Sequence, residues 1–229
     1  MTSSGTFSFQ PSIGELVLYA YGLCGIRRPQ LAQEHMVDAR MAANLMLAQF
    51  SNTGPNLWTV DLQTIPLVEG QSTYAVDPAT VMILDAYIET GTNPPIDRII
   101  MPISRTEYAS FPNKTTVGFP TVYWYDRLIS QTITLWQPPD SNTTYTLNFY
   151  RYRQVQDANL QSGQTVEVPY LWLDAFANGL AWRLSRSWAP QLTAMLKVDA
   201  QESWQTAATQ NTENVPMHIS PGCSSYYRS

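Results

Sequence analysis

The sequence is poor in cysteine, histidine and charge, and it lacks any long apolar run. Its two cysteines, Cys24 and Cys223, lie far apart without the spacing of metal ligands, so neither a disulfide scaffold nor a zinc site is indicated. No stretch reaches about 18 uncharged apolar residues, and the N-terminus has no basic segment followed by an apolar run. We therefore expect free thiols, no membrane span, and assembly in the cytosol.

The composition indicates a folded protein with a surface that is more polar than ionic. Charged residues make up only 14% of the 229 residues, while hydrophobic residues reach 44% and aromatic residues 12%. This apolar content excludes a disordered chain. Because charges are depleted from the cores of interfaces, the low charge favours permanent contacts with neighbouring subunits. The net charge of −5 and the scarcity of lysine argue against tight binding of nucleic-acid phosphates.

No catalytic arrangement stands out among the residues that usually perform chemistry. We predict that His35 is a surface or interface residue of a helix and that His218 lies in a C-terminal tail, so no histidine pair is available for a metal or a triad. Asp85 and Glu89 lie four residues apart on a predicted strand, but nothing distinguishes them from other carboxylates. No glycine-rich phosphate loop is present. We therefore expect no enzyme activity, no cofactor and no metal.

Helical patterns frame the sequence at its N-terminal end. Ser12 and Glu15 have the spacing of a capping box, and Gly22 or Gly25 should end the helix that follows. A long amphipathic helix is predicted at residues 30–50. The short connection between these two helices favours an antiparallel pair.

Two further helices are predicted near the C-terminus. Pro169 precedes one helix, and Pro190 both ends it and begins the next, which runs to about Thr209. Beyond Gln210 the sequence has no period, and residues 211–229 are predicted to be an extended tail.

Between the helical regions, alternating β-branched and aromatic residues indicate a β domain. The predicted strands are residues 57–62, 72–76, 81–90, 95–103, 121–125, 132–137 and 144–152. A short helix is expected at residues 104–110, because Ser104 and Glu107 repeat the capping-box spacing. The turn residues at 138–141 predict a hairpin between the last two strands.

The order of these elements predicts an α+β fold. The N- and C-terminal helices should form one antiparallel helical bundle, and a mostly antiparallel β domain of sandwich or barrel-like form should be inserted between them. The predicted limits are 1–56 for the N-terminal helices, 57–155 for the β domain, 156–210 for the C-terminal helices and 211–229 for the tail.

The run Tyr123, Trp124 and Tyr125 raises a different hypothesis, because stacking platforms for sugars or single strands need exposed aromatic rings. Alternation along a strand places Tyr123 and Tyr125 on one face and Trp124 on the other, so part of this run should be core. A carbohydrate- or receptor-binding β module is the alternative function. A hydrolase that acts on peptidoglycan through paired carboxylates is a third.

Several stretches resemble the head-to-tail adaptor family of short-tailed phages, the group of tail tubular protein A. They are the helical start at 12–20, EYASFPNKTTVGFPTVYWYDR at 107–127, TLWQPPDSNTTYTLNFYRYRQVQD at 134–157 and VPYLWLDAFANGLAWRLSRSWAP at 168–190. The last is the most specific, because relatives similarly follow a β domain with a proline-initiated, alanine-rich helix and a further helix.

The resemblance implies a non-enzymatic subunit of a virion that is assembled in the host cytoplasm. It implies a homo-oligomeric ring, commonly a dodecamer, that lies under the portal protein and meets the tail nozzle or tail spike and fibre proteins. DNA would pass through the lumen without sequence-specific binding. We predict that the helices form the ring, that the β domain faces the tail, and that the C-terminal tail binds the portal. The predicted portal-binding residues are Val215, Met217, Ile219, Tyr226 and Tyr227.

Overall fold

The computed structural model describes residues 5–53, 56–161 and 163–212, which contain five α-helices and seven β-strands. The helices are α1 Ile13–Leu23, α2 Gln33–Asn52, α3 Arg105–Ser110, α4 Leu173–Trp188 and α5 Thr193–Thr209. The strands are β1 Val60–Pro66, β2 Thr73–Ala75, β3 Thr80–Thr90, β4 Ile96–Pro102, β5 Val122–Asp126, β6 Thr132–Trp136 and β7 Tyr145–Arg153. The predicted α+β class is confirmed.

The helix ends follow local sequence signals. The Glu15 amide donates to Ser12 Oγ at 3.3 Å, and the Ser12 amide donates to Glu15 Oε2 at 2.8 Å. Ser104 and Glu107 form the same reciprocal pair at the start of α3. Each pair satisfies amides that a helix start leaves without a partner. After α1, Gly25 takes a left-handed φ of +79°, which glycine adopts without steric cost.

The two prolines of the C-terminal region act as predicted. Pro169 precedes a short 3-10 turn, Tyr170–Trp172, that leads into α4. Pro190 begins a second such turn, Pro190–Leu192, after which α5 starts. Pro190 suits the first position of its turn because it has no amide hydrogen to leave unpaired, whereas Pro169 lies just before its turn and its carbonyl accepts a hydrogen bond from the Trp172 amide.

Helix α4 is the centre of the helical part. It packs against α1, α2 and α5, and Leu180 and Phe176 on its inner face are fully buried. At Gly179 an added Cβ would lie 2.6 Å from Sδ of Met46, so this glycine permits the close approach of α2 and α4. Helices α1 and α2 each pack mainly on α4 and meet one another through Tyr21 and His35, and their antiparallel pairing stays a prediction.

The seven strands form one mixed sheet in the order β1-β7-β3-β4-β5-β6-β2. All neighbouring pairs are antiparallel except β4 and β5, which are parallel. Strand β4 serves two neighbours in succession, since residues 96–100 pair with β3 whereas Met101 and Pro102 pair with β5. The mostly antiparallel pairing is confirmed, but the strands belong to one curled sheet and not to the two sheets of a sandwich.

The predicted hairpin between the last two strands is wrong. Strand β7 lies between β1 and β3, and β6 lies between β5 and β2. The chain does turn at the expected place, where Asp140 Oδ1 accepts hydrogen bonds from the Asn142 amide and the Tyr145 hydroxyl. Local turn chemistry determines this bend, whereas burial of Leu147 and Phe149 draws β7 into the middle of the sheet.

Two hydrophobic clusters hold the described residues together. One lies among α1, α2, α4 and α5, and it includes Val155 and Val166 from the segment between β7 and α4. The other lies inside the curled sheet and includes Ile88, Ile133 and Leu147. The predicted limits of the domains stay a prediction.

Because α4 touches every other long helix, we expect truncation of its buried side chains to be costly. Leu180→Ala should lower the free energy of unfolding by about 2–5 kcal/mol, since it removes buried methyl groups and leaves a cavity. Leu171→Ala, at a leucine that is 61% exposed, should change it by less than about 0.5 kcal/mol. Urea unfolding followed by tryptophan fluorescence measures both. Equal losses for the two variants would contradict the central position of α4.

Candidate functional site

Strand β7 carries a buried cation that joins three segments of the sheet. The Arg151 side chain is nearly inaccessible, and its Nε donates to Asp61 Oδ1 at 2.7 Å. Its Nη1 lies 2.9 Å from Asp77 Oδ2 and donates to Thr80 Oγ1 at 2.9 Å. Asp61 belongs to β1, Asp77 to the β2–β3 loop and Thr80 to β3. One guanidinium therefore fixes the edge strand and the loop to β7.

Two residues further along, Arg153 extends these contacts toward the helices. Its Nη1 and Nη2 bind both carboxylate oxygens of Glu167, at 2.9 and 2.5 Å, and its Nε lies 3.6 Å from Asp61. Glu167 also accepts a hydrogen bond from the Gln156 amide at 2.8 Å. A bidentate pair of this kind is geometrically specific. The segment that leads into α4 is thereby held against the end of the sheet.

Between these two arginines, Tyr152 points the opposite way, toward the helices. Its hydroxyl donates to the Phe50 carbonyl of α2 at 3.3 Å, and Asn56 Nδ2 donates to the same carbonyl at 3.1 Å. Asn211, just after α5, accepts a hydrogen bond from the Leu57 amide at 3.0 Å. The ends of α2 and α5 and the approach to β1 thus meet at β7, which contacts helices and sheet at once.

The ionisation of this network suits a structural role. The hydrogen bond from Arg151 lowers the pKa of Asp61. The Ala79 amide and then Arg151 lower the pKa of Asp77. The bond from Arg153 lowers the pKa of Glu167. All three carboxylates are therefore ionised at neutral pH, and none of them is tuned to exchange a proton there, as an acid–base catalyst would be.

The prediction that His35 is a surface or interface residue is wrong. The side chain is 7% exposed and stacks on Trp188 with 3.8 Å between ring centroids. Its Nδ1 accepts a hydrogen bond from the Ala32 amide at 3.1 Å, so it takes part in the start of α2. The edge of the ring meets Tyr21 of α1. Trp188 is too distant in sequence for local reasoning to foresee this packing.

The carboxylate pair on β3 gains no chemical support. Glu89 accepts a hydrogen bond from Asn148 Nδ2 at 3.1 Å and faces Asp97 across the β3–β4 ladder. Asp85 is exposed beside an irregularity in the pairing of β3 with β7. Within residues 5–53, 56–161 and 163–212, no group of three or more His, Cys, Asp or Glu side chains could hold a metal ion.

The aromatic run on β5 divides as alternation predicts. Tyr123 is 2% exposed inside the sheet, where burial, and to a smaller degree Asp85, raises its pKa to about 12. Tyr125 packs on the same core and donates to the Thr80 carbonyl at 3.1 Å and to Gln131 Oε1 at 2.7 Å. These two tyrosines are structural.

The outer aromatic rings of β5 and β6 are covered by α3 and by the residues that follow it. Trp124 packs against Tyr108 with 5.7 Å between ring centroids, and Trp136 stacks on Phe111 at 4.2 Å. Trp136 Nε1 also donates to the Asn113 carbonyl at 2.9 Å. All four rings are only partly exposed. This arrangement explains the rings by packing on α3, and it does not favour an open stacking platform for sugars.

Sequence reasoning missed an apolar stripe on the outer face of α2. Val37, Met41 and Leu45 lie four residues apart and are 62%, 63% and 53% exposed. On α5, Met195 and Val198 are similarly exposed. Neighbouring exposed apolar side chains indicate surfaces that bind other proteins. The available signal was a second i, i+4, i+8 series on α2, separate from the series that faces the core.

The five residues predicted to bind the portal lie outside the described residues. These five are Val215, Met217, Ile219, Tyr226 and Tyr227. His218 and Cys223 also lie outside the described residues.

The other cysteine, Cys24, is buried, and its Sγ lies 3.4 Å from the Ala181 carbonyl. Burial raises the pKa of this thiol to about 11, which makes it unreactive at neutral pH. None of the described helices is long and apolar enough to cross a bilayer.

Comparison with known families connects this architecture to a function. The family model described as SU10 adaptor protein matches residues 28–215. The matched range runs from the turn before α2 to beyond α5, so it contains the whole sheet and four of the helices described here. None of the curated proteins matches the chain significantly.

The network on β7 can be tested through Arg151. Arg151→Met leaves Asp61 and Asp77 without their shared cation, and we expect unfolding free energy to fall by about 1–3 kcal/mol at pH 7. This range allows for the partial exposure of both carboxylates. Arg105→Met, at an exposed position of α3, should change stability by less than about 0.5 kcal/mol. Urea unfolding measures both variants.

The pH dependence of the unfolding free energy tests whether the loss in Arg151→Met is electrostatic. Folding lowers the pKa of both aspartates, so their contribution is complete above the unfolded value of about 4 and is lost as pH falls through the folded value. The gap between wild type and Arg151→Met should therefore narrow below about pH 4. A gap that stays constant between pH 7 and pH 3 would contradict the electrostatic explanation.

Proposed function

The chain belongs to the SU10 adaptor protein family, a family of phage head-to-tail adaptors, and from this membership we propose that it joins the portal of a phage head to the tail. The observation that carries the proposal is the family match over residues 28–215. In this role the protein is a structural connector and catalyses no reaction. Its place is the neck of the virion, after assembly in the host cytoplasm.

In this proposal, copies of the chain form a closed ring under the portal, and the ring is a dodecamer. The exposed apolar side chains of α2 and α5 support permanent contacts between subunits. DNA passes through the lumen of the ring. A net charge of −5 favours a channel past which DNA slides without being bound tightly.

The helices form the ring and the sheet faces the tail nozzle or the tail spike and fibre proteins. This assignment is supported by the exposed apolar residues of the sheet region, which provide contacts separate from those of the helices. They are Ile99, Met101 and Ile129, which are 80%, 64% and 99% exposed. The contacts of β7 with both parts hold these surfaces in a fixed relation. The alternative, a carbohydrate- or receptor-binding β module, has less support because α3 covers the outer aromatic rings.

The predicted tail, residues 211–229, supplies the portal contact through the part that follows Thr212. Its apolar and aromatic residues are spaced among polar ones, which suits a short peptide that inserts a few anchors into a partner surface. The anchors are Val215, Met217, Ile219, Tyr226 and Tyr227.

The adaptor role can be tested by measuring the mass of the complex that the protein forms with the portal. The purified protein, mixed with the portal ring of the same phage, should give one complex of fixed stoichiometry in native mass spectrometry, with twelve adaptor copies expected on a dodecameric portal. The protein alone and the portal alone are the controls. A protein that ignores the portal would contradict the adaptor role, and binding of glycans by that protein would favour the alternative.

The C-terminal contact is tested by deleting residues 213–229. We expect portal affinity to fall by about 30-fold or more, because loss of a few buried anchors costs about 2 kcal/mol or more. The melting temperature should stay unchanged. Met217→Asp should reproduce most of the loss, whereas Ser224→Asp, the same new charge on a polar residue, should not. Undiminished portal binding by the deletion variant would refute this contact.

A further inference from the structure

Helix α4 carries two cations, Arg183 and Arg186, that have no acidic partner among the described residues. The Arg186 guanidinium lies over the Trp182 ring, 4.3 Å from its centroid, and Arg183 donates to the side-chain oxygen of Gln49. Within the described part of the chain, neither arginine forms an ion pair, whereas both arginines of β7 do. The two cations also lie one turn apart and repel each other.

The position of Arg183 makes the lack of an anion costly. Its side chain is partly buried, and burial and then the nearby charge of Arg186 lower its pKa. A partly desolvated cation is stabilised when a carboxylate approaches it. Among the described residues no carboxylate forms an ion pair with Arg183, so this surface can accept an acidic group from another molecule.

The two arginines border the apolar stripe of α2. A groove of about 240 Å³ between α2 and α4 is lined by Met41 and Leu45 on one side and by Arg183 and Arg186 on the other. Asp38 also lines the groove, but its Oδ2 accepts a hydrogen bond from Trp188 Nε1 at 3.0 Å. We call this surface the α2–α4 patch, consisting of Val37, Met41, Leu45, Arg183 and Arg186. It combines apolar area with a net positive charge, because the two arginines outnumber the single carboxylate of Asp38 in the groove.

A surface of opposite charge lies on α5. Met195, Val198, Asp199 and Glu202 are exposed at positions i, i+3, i+4 and i+7, so they share one side of the helix. Neither carboxylate forms an ion pair among the described residues. Lys197, the only cation of α5, falls on a different side of the helix. We call these four residues the α5 stripe, which combines apolar area with negative charge.

We propose that the α5 stripe of one subunit docks onto the α2–α4 patch of the next subunit. Apolar side chains meet at the centre, and the carboxylates of the stripe neutralise the arginines of the patch. The occupant is a second copy of this chain because the same chain supplies both complementary surfaces. Two different patches that bind head to tail generate a closed ring when the rotation between neighbouring subunits brings the last subunit back to the first. The inference rests on the proposed ring and names the interface that forms it.

Charge reversal tests the pairing. Arg186→Glu and Glu202→Arg should each weaken ring formation by about tenfold or more, because each brings like charges together at every interface. The two changes in one chain restore opposite charges, so the double variant should recover to within about threefold of wild type. Arg105→Glu, the same charge change on exposed α3, should assemble normally. Native mass spectrometry with the portal measures occupancy, and melting temperatures confirm folding.

The apolar centre is tested separately. Met41→Asp should reduce ring formation, whereas Ile129→Asp, at the exposed tip of the β5–β6 loop, should not reduce it. Normal rings from Arg186→Glu and Met41→Asp would overturn this interface and leave the adaptor role standing. Failure of the double variant to recover would also overturn it, and would assign the patch to another occupant such as a tail protein. A wild-type protein that forms no ring on the portal would refute both proposals.

Discussion

The arrangement of the described residues depends on β7, and above all on the buried cation at Arg151. A guanidinium in this position is stable only while Asp61 and Asp77 remain beside it, so the edge strand and the β2–β3 loop cannot move away from β7 independently. The neighbouring Tyr152 and Arg153 reach the end of α2 and the segment before α4. Three consecutive residues thus fix the sheet to the helices, because alternation along a strand directs their side chains to opposite faces.

Local signals were sufficient to predict most of the elements. The capping residues Ser12 and Ser104 and the prolines 169 and 190 mark helix ends through their own backbone chemistry. Alternating apolar residues indicate seven strands, but the first predicted strand, 57–62, begins too early, because Leu57–Thr59 form a 3-10 turn and β1 begins at Val60. Partners distant in sequence could not be predicted in this way. Three features depend on which distant segments come into contact after folding: the strand pairing of β7, the packing of His35 on Trp188 and the ion pairs of Arg151. Local patterns in a single sequence do not predict such contacts.

The candidate functional residues show the same limit of prediction from the sequence. Asp85 and Glu89 are carboxylates, which perform acid–base chemistry in many enzymes, yet Glu89 makes an ordinary hydrogen bond on the outer face of the sheet. The exposed apolar surfaces, which lack a partner among the described residues, were harder to recognise in the sequence. Val37, Met41 and Leu45 form a helical series that becomes informative only when another face of α2 is seen to supply the core.

The charges of the chain divide into two groups with different consequences. The arginines of β7 are neutralised within the subunit, where they hold two structural parts together. The arginines of α4 and the exposed carboxylates of α5 form no ion pair among the described residues, although each group lies beside exposed apolar side chains. In the proposed interface, these two surfaces of one subunit complement each other in charge. Because the two surfaces proposed to pair are different, their pairing would lead to head-to-tail assembly, whereas a single self-complementary patch would stop at a dimer.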